Sequence, residues 1–365
     1  MKITIEEAET LNLRDILFVD TRGSVAYMHG HIDGAIEIES LSEEKHKNKK
    51  LIVYCMYGQK SAVVVKKLRE RGYEAYDLVG GYKSWLIHYL DELSEEELQR
   101  YDRQIILPEI GIEGQKKLKK AKVLIVGVGG LGSPVALYLA SAGVGEIGLI
   151  DADVVSVSNL QRQIIHDMEG INVNKALYAK EKIKRLNCNI KVNVYTDFIT
   201  PENIEKIICE YDFIIEASDN FETKFLVNDA CVLHKKAFCH AGCIGFHGQV
   251  MTYVPDQGPC YRCIFENIPE NPDMPNCSTA GVIGAVTGII GSIQALEAIK
   301  YITDIGDLLV KRMYVFDGLS MTSRIVKLPN KNVRCKVCGD DASITNIQDN
   351  ANCYRMKACA TTLVG

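Results

Sequence analysis

Residues 123–133 read Val-Leu-Ile-Val-Gly-Val-Gly-Gly-Leu-Gly-Ser, an apolar strand that runs into Gly127, Gly129, Gly130 and Gly132 and then into a helix. Glycines in such a turn let backbone N–H groups approach a phosphate at a helix N-terminus, whose dipole favours negative charge. Asp151 closes the next apolar run, where a carboxylate can bind a ribose hydroxyl. Alone, this pattern suits a nicotinamide dinucleotide as well as ATP. Working outward, expected strands at 123–126, 147–150, 192–195 and 213–216 alternate with helical patterns at 133–142, 175–186 and 201–210. That alternation predicts an α/β fold, a parallel sheet with helices on both faces. Four further expected strands, at 237–240, 249–254, 313–316 and 324–328, are spaced closely enough to pair antiparallel and make the sheet mixed.

The segment 151–163, Asp-Ala-Asp-Val-Val-Ser-Val-Ser-Asn-Leu-Gln-Arg-Gln, shifts the balance toward ATP. Asn159, Arg162, Gln163 and, after a short gap, Lys175 would gather polar and cationic groups around a triphosphate. Displacement at phosphorus needs that neutralisation, because its catalysis is mostly positioning and charge stabilisation. Asp219, beside Asn220 after the run Phe-Ile-Ile-Glu-Ala-Ser, could hold Mg²⁺ against phosphate oxygens. Any one of these could equally be a surface polar residue at a strand end; the ordered set is harder to read that way.

Four of the thirteen cysteines form two C-x-x-C pairs, Cys260/Cys263 and Cys335/Cys338. Each such turn puts two thiolates on one side of a tetrahedral ion, so two turns complete a four-cysteine zinc site with no open position. A redox pair would need only one of them. Cys277 lies between the knuckles, ahead of a small-residue stretch, and reads either as a thiol activated by a helix N-terminus or as an inert loop thiol.

From about Tyr101 to Gly339 the chain resembles the MoeB/ThiF adenylyltransferases, relatives of ubiquitin-activating enzymes. The stretches that carry the resemblance are YDRQI at 101–105, GVGGLG at 127–132, SNLQRQ at 158–163, SDN at 218–220, CYRC at 260–263 and TAGV at 279–282. The resemblance implies a Rossmann-like ATP-binding domain in which Gly129, Gly130 and Gly132 form the phosphate turn and Asp151 binds the ribose. Asn159, Arg162 and Lys175 would contact phosphates, and Asp219 would be the acid linked to Mg²⁺. It further implies that Arg103 reaches the ATP site of a partner subunit in a homodimer. The substrate would be the C-terminal glycine carboxylate of a small ubiquitin-like sulfur-carrier protein ending in Gly-Gly. Cys277 falls at the family's mobile-loop cysteine, able to bond to the carrier or to a sulfur donor.

Residues 1–90 are read as a separate N-terminal domain, joined through an acidic, solvent-facing helical linker at 91–100. Cys55-Met-Tyr-Gly-Gln-Lys-Ser61 follows the expected strand 51–54 and precedes the expected helix 62–71, which places Cys55 in a ring of backbone N–H groups. With Asp20-Thr-Arg22, His31-Ile-Asp-Gly-Ala35 and Gly80-Gly81-Tyr82, the loop resembles that of rhodanese-like sulfurtransferase domains, and implies a Cys55 persulfide charged by a donor such as a cysteine desulfurase. Lys60 stands where that family often carries arginine; it keeps the charge and loses the planar fork. The alternative is a non-catalytic recruitment module.

A net charge of −5 gives no electrostatic case for nucleic acid or an anionic membrane as partner. No apolar run approaches the ~20 residues of a membrane span, and the acidic start MKITIEEAET is unlike a secretory signal, so a cytoplasmic protein is expected. The segment 101–339 forms the expected second domain, with 340–365 a loosely packed polar tail.

Overall fold

The computed structural model describes residues 1–354 apart from 13, 29, 89–92 and 270–279. The chain divides into two compact units, Met1–Lys116 and Lys117–Gly365. The first unit holds five strands, β1 (Lys2–Ile3), β2 (Ile16–Asp20), β3 (Ile36–Glu37), β4 (Lys50–Tyr54) and β5 (Ala75–Leu78). They form one all-parallel sheet ordered β1-β5-β4-β2-β3. Alternate residues point to opposite faces of a strand. Phe18, Ile52 and Tyr54 accordingly enter one buried cluster, and Val19, Leu51 and Val53 the other. Helices α1 (Lys60–Glu70) and α2 (Gly81–His88) follow β4 and β5.

The acidic stretch expected as a solvent-facing linker is helical, as its composition suggests, but it is not solvent-facing on all sides. Ser94 and Glu97 form a reciprocal capping box at the start of α3 (Glu95–Arg100). Leu98 then packs with Leu93 and Ile112 in a small apolar cluster. One turn later comes α4 (Asp102–Ile105).

In the second unit, β6 (Lys122–Val126), β7 (Glu146–Ile150), β8 (Lys191–Tyr195), β9 (Phe213–Glu216), β10 (Ala237–Ile244), β11 (His247–Tyr253), β12 (Arg312–Asp317) and β13 (Thr322–Lys327) make an eight-stranded sheet. Its order is β13-β12-β11-β10-β9-β6-β7-β8. The five strands from β8 to β10 run parallel, and β11, β12 and β13 pair antiparallel, so the sheet is mixed as expected. Helices α5 (Gly132–Ala142), α6 (Lys175–Leu186) and α7 (Phe221–Leu233) connect the strands, α8 (Tyr261–Ile264) sits in the first C-x-x-C, and α9 (Gly284–Thr303) packs on α5, β10 and β11. The helix expected at 201–210 is shorter, Ile204–Ile208. Strand order reverses at β6, which leads to β7 on one side and β9 on the other. In open α/β sheets a crevice opens beyond the strand ends at such a switch point.

The expected loose tail is a packed element over its described part. Ile344, Ile347 and Tyr354 are buried, and the Tyr354 hydroxyl donates to Asp229 Oδ2 at 2.6 Å.

Candidate functional site

A cleft opens where the switch point predicts, at the C-terminal ends of β6, β7 and β9. Gly129, Gly130, Asp151, Arg162, Gln163, Lys175, Asp219 and Asn220 all line it. Gly127 makes the turn possible: its φ is +92°, and a Cβ there would lie 2.8 Å from the Ala217 carbonyl. Gly132 does not line the cleft. A Cβ on it would stand 2.0 Å from the Gly127 carbonyl oxygen, so it lets the start of α5 pack against the turn.

The anchors of the cleft are polar and tightly held. Asp151 Oδ2 accepts from Val128 N at 2.8 Å and Oδ1 from Asp153 N at 3.0 Å. Burial pushes the Asp151 carboxyl above its ordinary range, while the Lys175 charge and these N–H groups pull it back in part. Lys175 is buried and paired with Asp153 Oδ2 at 2.8 Å. Gln163 is buried too, and among the described residues its Oε1 has no hydrogen-bond partner, an acceptor left open beside the cleft. Asp219 makes no hydrogen bond or ion pair among the described residues and is exposed, so its carboxylate is free to take a cation with the open oxygen coordination Mg²⁺ requires. Asn159 is placed differently: its Oδ1 accepts from Ser156 N at 3.1 Å and it is not among the lining residues. Arg103 is exposed on α4 of the first unit.

Beneath Asp219 lies a buried charge network that sequence reading missed. Glu216 accepts from Ser218 N at 2.8 Å, from Lys224 Nζ at 2.9 Å and from His240 Nδ1 at 2.7 Å. Lys224 also donates to the Ser218 and Ala241 carbonyls at 2.7 and 3.0 Å, so all three ammonium protons are used. Burial opposes the Glu216 carboxylate, but Lys224 and His240 overcome it and hold the carboxyl at about 2. The network clamps both ends of the Ser218 peptide, the residue before Asp219. A lysine four residues after the Asn220 cap, inside the apolar run of α7, was the signal for it.

In the first unit, Cys55 is buried at the C-terminal end of β4. The Ser61 hydroxyl donates to Cys55 Sγ at 3.3 Å. Burial works against the thiolate, yet this donor and the backbone N–H groups of Ser61, Tyr57 and Lys60 outweigh it, and the thiol is held below its ordinary value. Gly58, at φ +77°, turns the loop, and Tyr82 N donates to the Cys55 carbonyl at 2.8 Å. Arg22 pairs with Asp20 at 2.6 Å and lies 3.7 Å over the Tyr82 ring.

Cys260, Cys263, Cys335 and Cys338 bring their sulfurs within 4.8 Å of one another. Four of the S···S separations run from 3.3 to 3.8 Å. Thiolates about 2.3 Å from a tetrahedral ion stand about 3.8 Å apart, so the set fits a metal and leaves no position open. Cys263 N donates to the Cys260 carbonyl at 3.0 Å and Gly339 N to the Cys335 carbonyl at 2.9 Å, so both knuckles close a tight backbone turn, and Asn332 N donates to Cys263 Sγ at 3.4 Å. Cys277 lies outside the described residues.

Residues 101–337 match the family described as the ThiF family, and residues 5–88 match the rhodanese-like domain. The chain is 45% identical over 258 residues to the adenylyltransferase and sulfurtransferase MOCS3 of Dictyostelium discoideum, covering 70% of this chain and 61% of that protein. With the MOCS3 of Arabidopsis thaliana it shares 42% over 272 residues, 74% of this chain and 59% of that one. The chain thus spans about three fifths of the length of the curated relatives it matches. Among solved structures, E. coli MccB crystallised with ATP is similar at TM-score 0.59 and 26% identity, over 67% of this chain and 75% of that one. PaaA is similar at TM-score 0.59 and 25% identity, over 74% and 82%. No helix among the described residues is long and apolar enough to cross a membrane.

Proposed function

The chain belongs to the ThiF family, and from that premise we propose that it adenylates the C-terminal glycine carboxylate of a small ubiquitin-like sulfur carrier ending in Gly-Gly and then supplies sulfur through Cys55. The observation that carries the reading is the single cleft into which Gly129, Asp151, Arg162, Gln163, Lys175 and Asp219 converge. A carboxylate oxygen attacks the α-phosphorus of ATP, the bond to the β-phosphate breaks, and pyrophosphate leaves. The glycine turn and the Arg162 and Lys175 charges offset the growing negative charge on phosphate, and Asp151 holds the ribose. Asp219 would hold Mg²⁺, which supplies charge neutralisation across the phosphates. Arg103 would complete the ATP site of a second copy in a homodimer.

A carrier acyl-adenylate is an electrophile, and Cys55 sits in a loop built to hold a sulfur anion. A persulfide on Cys55, loaded by a donor such as a cysteine desulfurase, attacks the acyl carbon with AMP as leaving group. A second thiol, for which Cys277 is the candidate, then attacks the Cys55 sulfur of the acyl disulfide; the thiocarboxylate leaves, a disulfide forms between the two cysteines, and an external thiol reductant restores both. The four-cysteine cluster would hold structural Zn²⁺ and take no part in the chemistry. Unpaired thiols of this kind suit a reducing, cytoplasmic setting.

The test is Cys55→Ala with purified carrier, ATP and a persulfide donor, read by intact mass alongside ATP–pyrophosphate exchange. Exchange should persist and thiocarboxylate should be lost. Thiocarboxylate formed at the wild-type rate would instead favour a recruitment role for the first unit, and tight NAD binding without carrier-dependent exchange would remove the adenylation reading.

A further inference from the structure

The Cys55 loop is held from outside the part of the chain that matches the rhodanese-like domain. Tyr57, two residues after the nucleophile, donates its hydroxyl to both carboxylate oxygens of Asp102 at 3.1 Å. Lys83 Nζ donates to Asp102 Oδ1 at 2.8 Å. The backbone N–H of the same Lys83 donates to the Met56 carbonyl at 3.0 Å, one residue after Cys55. Asp102 therefore ties together the loop's one aromatic side chain and the start of α2, the element that already grips the loop's carbonyls. It stands in the motif Tyr-Asp-Arg-Gln-Ile, directly before Arg103 and beyond residue 88, where the rhodanese-like match ends.

We propose that Asp102 is a positioning residue for Cys55: by fixing the Tyr57 side chain it aims the Tyr57 backbone N–H at the nucleophilic sulfur. The sulfur-transfer loop is then completed by the segment that opens the ThiF-family region. The proposal rests on the reading of Cys55 as the sulfur carrier only for its biological meaning; the geometry concerns the thiolate itself.

The electrostatics agree with that role. Partial burial works against the Asp102 carboxylate, but the Lys83 and Tyr57 donors outweigh it and hold the carboxyl below its ordinary range. Burial and the Asp102 charge push the Tyr57 hydroxyl up, so it stays a donor throughout the pH range in which a thiol titrates. The Tyr57 N–H is one of the donors that favour the Cys55 thiolate over the thiol. The other charged groups around the loop are Arg103, whose charge acts on both Tyr57 and Asp102, Lys60 at the start of α1, and the Arg22–Asp20 pair against the Tyr82 ring. All are left in place by the substitutions below.

Alkylation of Cys55 by iodoacetamide in the full chain, followed across pH by peptide mass spectrometry, tests the proposal. Asp102→Asn and Tyr57→Phe should each slow the reaction about threefold or more at neutral pH, equivalent to raising its midpoint by about half a pH unit. The double variant should be no slower than the slower single one, because both remove the same contact. A wild-type profile in both singles, or effects that multiply in the double, overturns it. Should Asp102→Asn fail to fold, Tyr57→Phe, which deletes only an exposed hydroxyl, decides the matter against wild type. Alkylation needs neither ATP nor carrier. Normal thiolate behaviour without any sulfur uptake by the wild-type chain would therefore sink the sulfur-transfer reading and leave the positioning role standing.

Discussion

Two groups of buried cysteines face opposite fates in this molecule. Cys55 is a single sulfur ringed by donors: one hydroxyl and three backbone N–H groups favour its anion. The second group, Cys260, Cys263, Cys335 and Cys338, has sulfurs facing one another, with backbone N–H groups of Asn332 and Cys338 turned to two of them. Four thiolates that close together repel strongly, so only a shared cation makes the anions tolerable. Cys231 and Cys239, both fully buried, provide the baseline: there burial is the main influence, and it drives the thiol up and keeps it inert. The residue type is the same in all three settings. Its neighbours decide whether it becomes a nucleophile, a ligand or filler.

The contrast can be broken most severely at the cluster. Cys335→Ser removes one of four ligands, and because metal binding in a structural site is folding energy, it should cost several kcal/mol and abolish stoichiometric metal. Elemental analysis and calorimetry would read both, and a variant that keeps its metal and melts with the wild type would refute the closed-site reading. Cys55 alkylation should survive this change under conditions where the first unit stays folded.

A smaller effect is expected from Gly58→Ala. Its φ of +77° would force alanine into the left-handed region, and the new methyl would stand 3.2 Å from the Leu78 carbonyl and the Gly80 amide. The cost should be about 1–2 kcal/mol, with slower Cys55 alkylation because the N–H ring is displaced. Lost stability with unchanged reactivity would mean that the ring does not set the thiolate. The smallest effect belongs to Ser61→Ala, which removes one donor to sulfur and should change stability by only about 1 kcal/mol. The sign for reactivity is fixed: a donor to the anion lowers the thiol's pKa, so its loss raises the alkylation midpoint. The variant should therefore lag at neutral pH and converge with the wild type well above the ordinary thiol pKa. A midpoint that falls would show the hydroxyl accepting from the thiol instead.

Much of this was legible because the deciding residues are local. The strands β6, β7 and β9 are buried on both faces, so they appear as unbroken apolar runs. The glycine turn and Asp151 follow such a run directly, and Asp219 comes three residues after the end of one. Long-range contacts were not legible. Helix α9 was expected only as an unbounded helix after the small-residue stretch, because it is apolar nearly all round, with Ile289 and Leu296 exposed, and carries Gln294 and Glu297 in its core-facing surface, where they serve the Glu216 and Cys239 carbonyls and the Leu309 amide. Helix α7 hides Lys224, Asn228 and Asp229 in the same way. Such helices lack the apolar stripe that period-based reading needs. Asn159 and Gly132, expected as ligand contacts, also shape the backbone around them, a role that residue type alone does not reveal.

Tyr354 has a consequence for how this protein is bounded. Its hydroxyl meets Asp229, whose other partners include Arg262 of the first knuckle, at 2.7 Å. A polypeptide ended at Gly339, where the recognisable motifs run out, would leave that buried carboxylate one donor short and uncover the seats of Ile344 and Ile347. Heredity and folding thus draw different edges on the same chain. The stretch that marks its ancestry stops at residue 337, while the packed chain runs on to Tyr354.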